Sequence, residues 1–349
     1  MAKQKKIKQS VGNPHIAVVI PAYNVATHIR NVIKNIPPEI TNIIVVDDVS
    51  KDETASVVRR TRSKRLHLLK HKKNCGVGGA VLTGCSYALE LGAEIIVKMD
   101  SDGQMDPTYL TALIQPIIDG KADYTKGNRF LHARELRKMP LKRRIGNLGL
   151  TFLTKLASGY WNIFDPTNGF TAIHRDVLRS LDTEAIAWDY FFETSMLLEL
   201  HRLQAKVMDV PMPARYADEP SSISLTHSLV NFPGQLLFGF LKRLYQQYLL
   251  FDFNAASIYF LLGLPLLLFG VLWGLIHWYI SIDTGEVAST GTVLIAVLPI
   301  ILGVQFLTQA LSLDIHSVPQ QAIHTCEKIP TMNNANHSLT NYWRKQTTD

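Results

Sequence analysis

Charge is missing from two long stretches near the end of this chain. Thirty residues between Asp252 and Asp283, and twenty-seven between Glu286 and Asp314, include no Asp, Glu, Lys or Arg. Each exceeds the roughly 20 apolar residues that span a bilayer core. Cysteine is scarce as well: Cys75, Cys85 and Cys326 form no CxxC pair. That excludes a disulfide framework and a zinc site, and fits a reducing compartment. The N-terminal KQKKIK has no apolar run behind it, so it is not a signal peptide. Nucleotide fingerprints are missing too. In CGVGGA, Val81 stands where GxGxxG needs its third glycine, and no GK[ST] occurs. A soluble dehydrogenase is thereby excluded. The formal charge of +7 comes with no zinc-finger or RNA-binding signature, so no nucleic-acid partner is expected.

The two uncharged stretches read as membrane helices, at about 258–280 and 292–312, within 254–315. Trp278 and Tyr279 close the first as interfacial aromatics, while Pro299 and Gln305 interrupt the second. A buried helical hairpin in a soluble protein is the competing reading. The connecting loop SIDTGEVASTG has no Lys or Arg, whereas Lys242, Arg243, Lys328, Arg344 and Lys345 flank the pair. Basic flanks favour the inner side, so both termini and the first 250 residues are expected in the cytoplasm of an inner or plasma membrane protein. A basic tail, 1–14, precedes the main domain, 15–228, and a C-terminal tail occupies 316–349. Between domain and anchor, 229–253 repeats apolar residues at helical spacing, which suggests an amphipathic helix in the membrane interface. A helix packed on the main domain would carry the same pattern.

In the main domain, β-rich runs HIAVVI, NIIVVD, LHLLK, EIIVKMD and ADYTKGN alternate with helical patterns at 25–35, 53–62, 78–91 and 107–118. Such alternation predicts an α/β fold with a mainly parallel sheet flanked by helices. Ligands of such sheets gather at the carboxyl ends of the strands. There the sequence places PAYN, DDVSKD, HKKNCGVGGA and DSDGQ. Asp100 and Asp102 can point the same way from an extended segment, and their hard oxygens suit Mg²⁺ or Mn²⁺. A polar turn that merely ends a strand is the plainer account of any one such loop. Four together are harder to dismiss. Asp52 and Ser50 suit a helix cap better than Asp48 does.

As an ordered set, VVIPAYN, IIVVDD, Asn74–Ala80 (N-x-G-x-G-x-A), VKMDSDGQ, KGNRF and DPTNGF resemble the family 2 glycosyltransferases of GT-A fold. The polyprenyl-phosphate group, with the dolichol-phosphate mannosyltransferases, is most similar. The resemblance covers residues 15–220 or so, and two C-terminal membrane helices suit bacterial members with their own anchor. It implies that Pro21, Ala22, Tyr23 and Asn24 line a nucleotide pocket, with Asp48 on base or ribose and Gly78 close to the nucleotide sugar. Asp100, Asp102 and Gln104 would hold Mg²⁺ or Mn²⁺ and the sugar diphosphate. Arg129 would face the phosphates, Asp165 would be an active-site carboxylate, and Glu193 would supply the acidic position on a later helix. Arg143 and Arg144 would meet the acceptor phosphate, within a stretch, 133–147, that has six Lys or Arg and one Glu. A solvated helix face is the alternative for that stretch. Homo-oligomerisation is also implied.

Three departures stand out. Val25 replaces the acidic residue common after PAYN, and Val49 replaces the usual glycine of VVDDVS. The basic ending near the membrane junction is blurred in ARYADEPSSIS. The QxxRW motif of processive synthases does not occur, which favours transfer of one sugar. The reading is a membrane-anchored, inverting transfer from a UDP- or GDP-linked sugar to polyprenyl phosphate. Transfer to another membrane-associated glycan or lipid, and a non-catalytic nucleotide-sugar-binding scaffold, are the alternatives.

Overall fold

The structure is a computed structural model that describes residues 14–130, 141–213, 225–326, 339 and 342–348, with backbone alone at 141–145, 147, 225–232 and 348. Four strands form the centre: β1 (Ile16–Ala22), β2 (Asn42–Asp47), β3 (Leu66–His71) and β4 (Ile95–Lys98), all but the leucine-rich β3 carrying β-branched residues. They alternate with α1 (Ile29–Asn35), α2 (Thr54–Arg60) and α3 (Gly76–Glu90). After β4 come α4 (Leu110–Ile118), β5 (Tyr124–Asn128), α5 (Leu141–Ser158), β6 (Thr171–His174), α6 (Arg175–Ser180), α7 (Phe192–Arg202) and β7 (Val207–Pro211). The sheet order is β7-β5-β6-β4-β1-β2-β3-β8, where β8 is the short Thr347–Thr348. Strands β1 to β5 and β7 run the same way; β6 and β8 oppose their neighbours. The sheet is mainly parallel, with helices on both faces.

Period-two alternation decides which side chain enters which layer. Ala17, Val19, Ile44 and Val46 pack beneath α3 and α7, whereas Val18, Ile20, Ile43 and Val45 pack against α1 and α4. Both faces are covered, which is why β1 and β2 read as continuous apolar runs. Helix α3 lies so close to β1 that a Cβ on Gly84 would stand 2.3 Å from Val19 Cγ1.

Strand β6, the path of the tail and strand β7, which pairs parallel to β5, were not foreseen. Strand β6 follows DPTNGF and wedges between β4 and β5 in the opposite sense. The tail beyond the apolar helices folds back on the main domain. Asp123 accepts hydrogen bonds from the backbone N–H groups of Ile323 and His324 and from His324 Nδ1. Residues Tyr342–Gln346 form a short α11 against α3, and β8 pairs with β3. The segment after the second apolar helix therefore lies on the same side as the main domain.

Helix α8 (Leu225–Leu244) continues through a π-helical turn, Tyr245–Phe251, and so covers the expected amphipathic segment. Each sequence alternative captures one face of it. Leu236, Gly239, Arg243 and Tyr248 are buried inward, with Gly239 close against Leu198, while Leu237, Phe238, Leu241, Tyr245 and Leu249 are exposed. Arg243 therefore differs from the expected flanking charge: it is 5% exposed and paired with Asp314.

Helices α9 (Ala255–Thr284) and α10 (Thr290–His316) form the C-terminal hairpin, each long and apolar enough to cross a membrane. At a rise of about 1.5 Å per residue each is longer than the roughly 30 Å hydrocarbon core of a bilayer. Leu264, Leu268, Leu272, Leu298, Ile301 and Leu302 face outward, so the hairpin is no buried core of a soluble protein. Apart from Ser257 and Asp314 near the ends, what is buried is small and recurs every seventh residue: Ala256, Gly263 and Gly270 on α9, Ala296, Gly303 and Ala310 on α10. Small residues let membrane helices approach closely enough for dispersion to hold them. A Cβ on Gly303 would lie 2.7 Å from Leu267 N and 2.9 Å from the Gly263 carbonyl oxygen. At Gly274 it would find only Ala296 Cβ, at 3.5 Å. Gly303→Ala should therefore lower the melting temperature in detergent by an overpacking penalty of about 1–3 kcal/mol. Gly274→Ala should leave it level or raise it. Equal behaviour of the two would mean that the hairpin is not held by this stripe.

Candidate active site

Because β1 to β5 and β7 run together, the loops after them share one edge, and DPTNGF, entering the reversed β6, reaches the same edge. The two nearest β1 and β2 are stitched together. Asn24 N donates to Ser50 Oγ (3.0 Å), and Lys51 N to Asn24 Oδ1 (2.8 Å). Val25 N reaches Thr54 Oγ1 (2.9 Å), and Ala26 N reaches Asp52 Oδ2 (3.0 Å). Val25 thus contributes its backbone where an acidic side chain was missed. Asp52 also accepts from Thr54 N, one residue before Glu53, which holds the cap position of α2 without a side-chain bond. Pro21 and Ala22 are buried at the end of β1, while Tyr23 is exposed at the rim. Val49 sits at φ +63°, where a β-branched residue is strained by about 1–2 kcal/mol; glycine would sit there freely.

Asp48 is turned inward. It is 4% exposed, and its oxygens accept from His71 Nδ1 (2.6 Å), Cys75 N (2.8 Å) and Gly76 N (2.8 Å). Through these bonds the carboxylate holds the β3–α3 loop against the end of β2. Gly78, in the first turn of α3, packs closely. Its N–H donates to the Trp188 carbonyl (2.9 Å), and a Cβ there would lie 2.2 Å from the Ala187 carbonyl oxygen. It seats α3 against that backbone.

The end of β4 concentrates charge. Lys98 Nζ, almost fully buried, lies 2.9 Å from Asp100 Oδ1 and 2.8 Å from Glu193 Oε1. Burial alone would lower its pKa, but the two carboxylates outweigh it and hold the ammonium charged. Glu193, from the first turn of α7, thereby joins the DSDGQ loop. Asp102 Oδ1 accepts from Gln104 N (2.9 Å), which closes the turn. Burial, then the neighbouring charge of Asp100, pushes the Asp102 carboxyl up. Gly169 of DPTNGF has no room for a side chain: a Cβ would stand 2.3 Å from Lys98 Nζ and 2.5 Å from Asp100 Oδ2.

Beside this cluster, Arg129 grips Asp165 with a fork. Nε donates to Oδ2 (2.7 Å), Nη2 to Oδ1 (3.0 Å), and the Arg129 backbone N–H also reaches Oδ2 (3.1 Å). Paired bidentately and fully buried, Asp165 orients the guanidinium. Asn168 Nδ2 holds the Gly127 carbonyl (2.8 Å), and Lys126 Nζ donates to the Asn168 carbonyl. Burial lowers Lys126 to about 8, against the pull of Glu193, Asp165 and Asp209. Asp209 on β7 accepts from Asn128 Nδ2 (2.6 Å) and Phe164 N (2.8 Å), while its Oδ1 is buried without a partner. Burial raises it to about 6.

Hard oxygens of Asp100 and Asp102, with Gln104 alongside, fit a divalent cation. They hold two like charges at one strand end, and the raised Asp102 carboxyl is the strain a cation would relieve. Asp48, His71 and Cys75 also bring three potential ligand atoms within 4.8 Å of one another. Those are already engaged. His71 bonds Asp48 and Thr83, and burial pushes the Cys75 thiol up, which keeps its proton. The trio is a clamp.

Proposed acceptor residues Arg143 and Arg144 fall in the opening turn of α5, and their side chains lie outside the described residues, as does 131–140. Lys98, Lys126 and Asp209 were missed in the sequence. Two lysines inside apolar runs (VKMD, YTKGN) were the available signal, since a buried lysine needs a carboxylate partner.

The raised Asp209 carboxyl gives a stability test. The folded protein holds this proton more tightly than the unfolded chain, so the contribution is most favourable below pH 4 or so. It declines as pH rises through the interval up to about 6. Asp209→Asn should flatten that part of the stability-against-pH curve, read by thermal unfolding between pH 4 and 7. An unchanged slope would mean that Asp209 is ionised throughout.

Comparison with known proteins now adds to this geometry. Residues 17–182 match the family model described as glycosyl transferase family 2. The UDP-N-acetylglucosamine–dolichyl-phosphate N-acetylglucosaminyltransferase of Methanococcus voltae is 34% identical over 218 residues, covering 58% of this chain and 86% of that protein. The undecaprenyl-phosphate mannosyltransferase of Micrococcus luteus is 28% identical over 203 residues, covering 56% of this chain and 82% of its own. Among solved structures, glucosyl-3-phosphoglycerate synthase from Mycobacterium tuberculosis superposes with a TM-score of 0.49 at 20% identity, over 66% of this chain and 80% of that one. On the family match and the extent of likeness to the Methanococcus protein, this chain belongs to glycosyltransferase family 2.

Proposed function

We propose that the protein is a membrane-anchored, inverting glycosyltransferase that moves one sugar from a UDP- or GDP-linked donor to polyprenyl phosphate at the cytoplasmic leaflet. One observation carries the reading: a carboxylate site balanced by buried cations stands on a domain whose C-terminal hairpin turns its apolar side chains outward. An enzyme whose acceptor cannot leave the bilayer gains from such an anchor. Relatives named for dolichyl-phosphate and undecaprenyl-phosphate acceptors support it. The returning tail keeps both sides of the hairpin with the catalytic domain, and exposed Lys242 favours the cytoplasmic face.

In this reading, Pro21, Ala22 and Asn24 shape the nucleotide pocket, and Tyr23 offers its exposed ring to the base. Asp100 and Asp102, with Gln104, hold the Mg²⁺ or Mn²⁺. That ion supplies charge neutralisation for the departing nucleoside diphosphate. Lys98 holds Asp100 and Glu193 at fixed spacing, so the site needs no reorganisation as charge develops. Arg129, aimed by Asp165, faces the phosphates. A phosphate acceptor is already anionic at neutral pH, so its oxygen can attack the anomeric carbon without a strong base. The fork to Arg129 fits Asp165 for positioning better than for proton abstraction. Arg143 and Arg144 would draw in the acceptor phosphate.

Two measurements test this. Purified protein is incubated with polyprenyl phosphate, Mg²⁺ or Mn²⁺, and a panel of radiolabelled nucleotide sugars, and label is counted in the lipid phase. Label entering lipid from one donor is expected and names the sugar. Free nucleoside diphosphate without lipid label would redirect the search to another acceptor. Asp102→Asn should then lose transfer by about a hundredfold or more while the protein still folds and inserts. Full activity with unchanged metal binding would sink the assignment.

A further inference from the structure

The second apolar helix ends on a buried charge. Asp314, two residues before the end of α10, is 2% exposed, and each of its oxygens takes two donors. Oδ1 accepts from Arg243 Nη1 (2.7 Å) and Tyr248 Oη (2.5 Å), Oδ2 from Arg243 Nη2 (3.1 Å) and Trp161 Nε1 (2.9 Å). The donors come from three places: α8, the π-helical turn and the loop after α5. Arg243 also holds the Leu156 carbonyl of α5 (2.9 Å) and Gln247 Oε1 (3.0 Å). Space is kept for it by Gly159, at φ +77°, where a Cβ would lie 2.7 Å from Arg243 Nη1.

Trp161 opens the turn that leads to Asp165. Between them, Asn162 Nδ2 is tied to the Val207 carbonyl (2.9 Å), and Phe164 N to Asp209 Oδ2 (2.8 Å). Arg129 then grips Asp165. From Trp161 to Asp165 the turn is five residues long, and four of them, 161, 162, 164 and 165, are tethered. We infer that Asp314 is a positioning residue: it locks the turn 161–165 to the end of α10, so that anchor and catalytic centre keep one orientation over the bilayer. A buried ion pair adds little stability over a well-packed apolar contact, but it is directional. Four donors on one carboxylate cannot be remade one turn up or down, whereas an apolar seam could slide. The inference rests on the acceptor being membrane-borne, as proposed above.

Asp314→Asn removes the charge and keeps the shape; Trp161→Phe removes only the link to the turn. Each is compared with wild type in vesicles holding undecaprenyl phosphate, and with a short water-soluble prenyl phosphate. Deuterium uptake over 159–170 is followed in parallel. In both variants uptake should rise, and the KM for the vesicle-borne acceptor should rise by about tenfold or more. The donor KM and the rate with the soluble acceptor should stay within about twofold of wild type. Equal loss with both acceptors, or unchanged vesicle kinetics, overturns the inference. If wild type uses neither prenyl phosphate, the functional reading falls instead, and exchange decides alone: raised uptake in the variants sustains the lock, unchanged uptake removes it.

Discussion

A buried ammonium between two carboxylates organises the centre of this protein. Lys98 stands at the end of β4 with Asp100 on one side and Glu193 on the other, and the buried ammonium could not be held there without them. Its position obliges Gly169 to lack a side chain, which explains the glycine of DPTNGF, and it brings the start of α7 to the sheet edge. Family motifs hundreds of ångströms apart along an extended chain thus become parts of one charge balance. The same logic repeats at lower charge with Lys126 among Asp165, Asp209 and the Asn168 carbonyl.

The anchor follows a different rule. Between α9 and α10 there is no charge to balance, and lipid is as apolar as leucine, so association depends on close backbone approach through Gly263, Gly270 and Gly303. Directional interactions return at the helix ends: at Ser257, whose hydroxyl donates to the Tyr248 carbonyl, at Asp314, and then at Asp123 with His324. Packing holds the hairpin; hydrogen bonds join it to the domain.

The strands β1 to β5 and helices α1 to α4 were legible, because β-branched runs with both faces buried and helical spacing between them leave few alternatives. The four strand-end loops were legible for the same reason: a parallel sheet puts them on one edge. Strand β6 was not. Its four residues, TAIH, are too few for a period to declare itself, and its direction is set by pairing with β4 and β5. Asp48 and Gly78 show the other limit. Which groups a strand-end carboxylate and a helical glycine will meet is not written locally: His71, Cys75, Gly76 and Trp188 are brought up only by folding.

By itself the sequence determined the α/β order, the edge on which ligand chemistry collects, the pair of membrane-length helices and the family resemblance. These are local properties, readable from period, length and spacing. Tertiary structure decided which charges face one another: Lys98 with Glu193, Arg129 with Asp165, and Arg243 with Asp314. Those pairs lie 95, 36 and 71 residues apart. No local pattern encodes such partners, because the free energy that joins them exists only after burial has removed the water that would otherwise solvate each one alone.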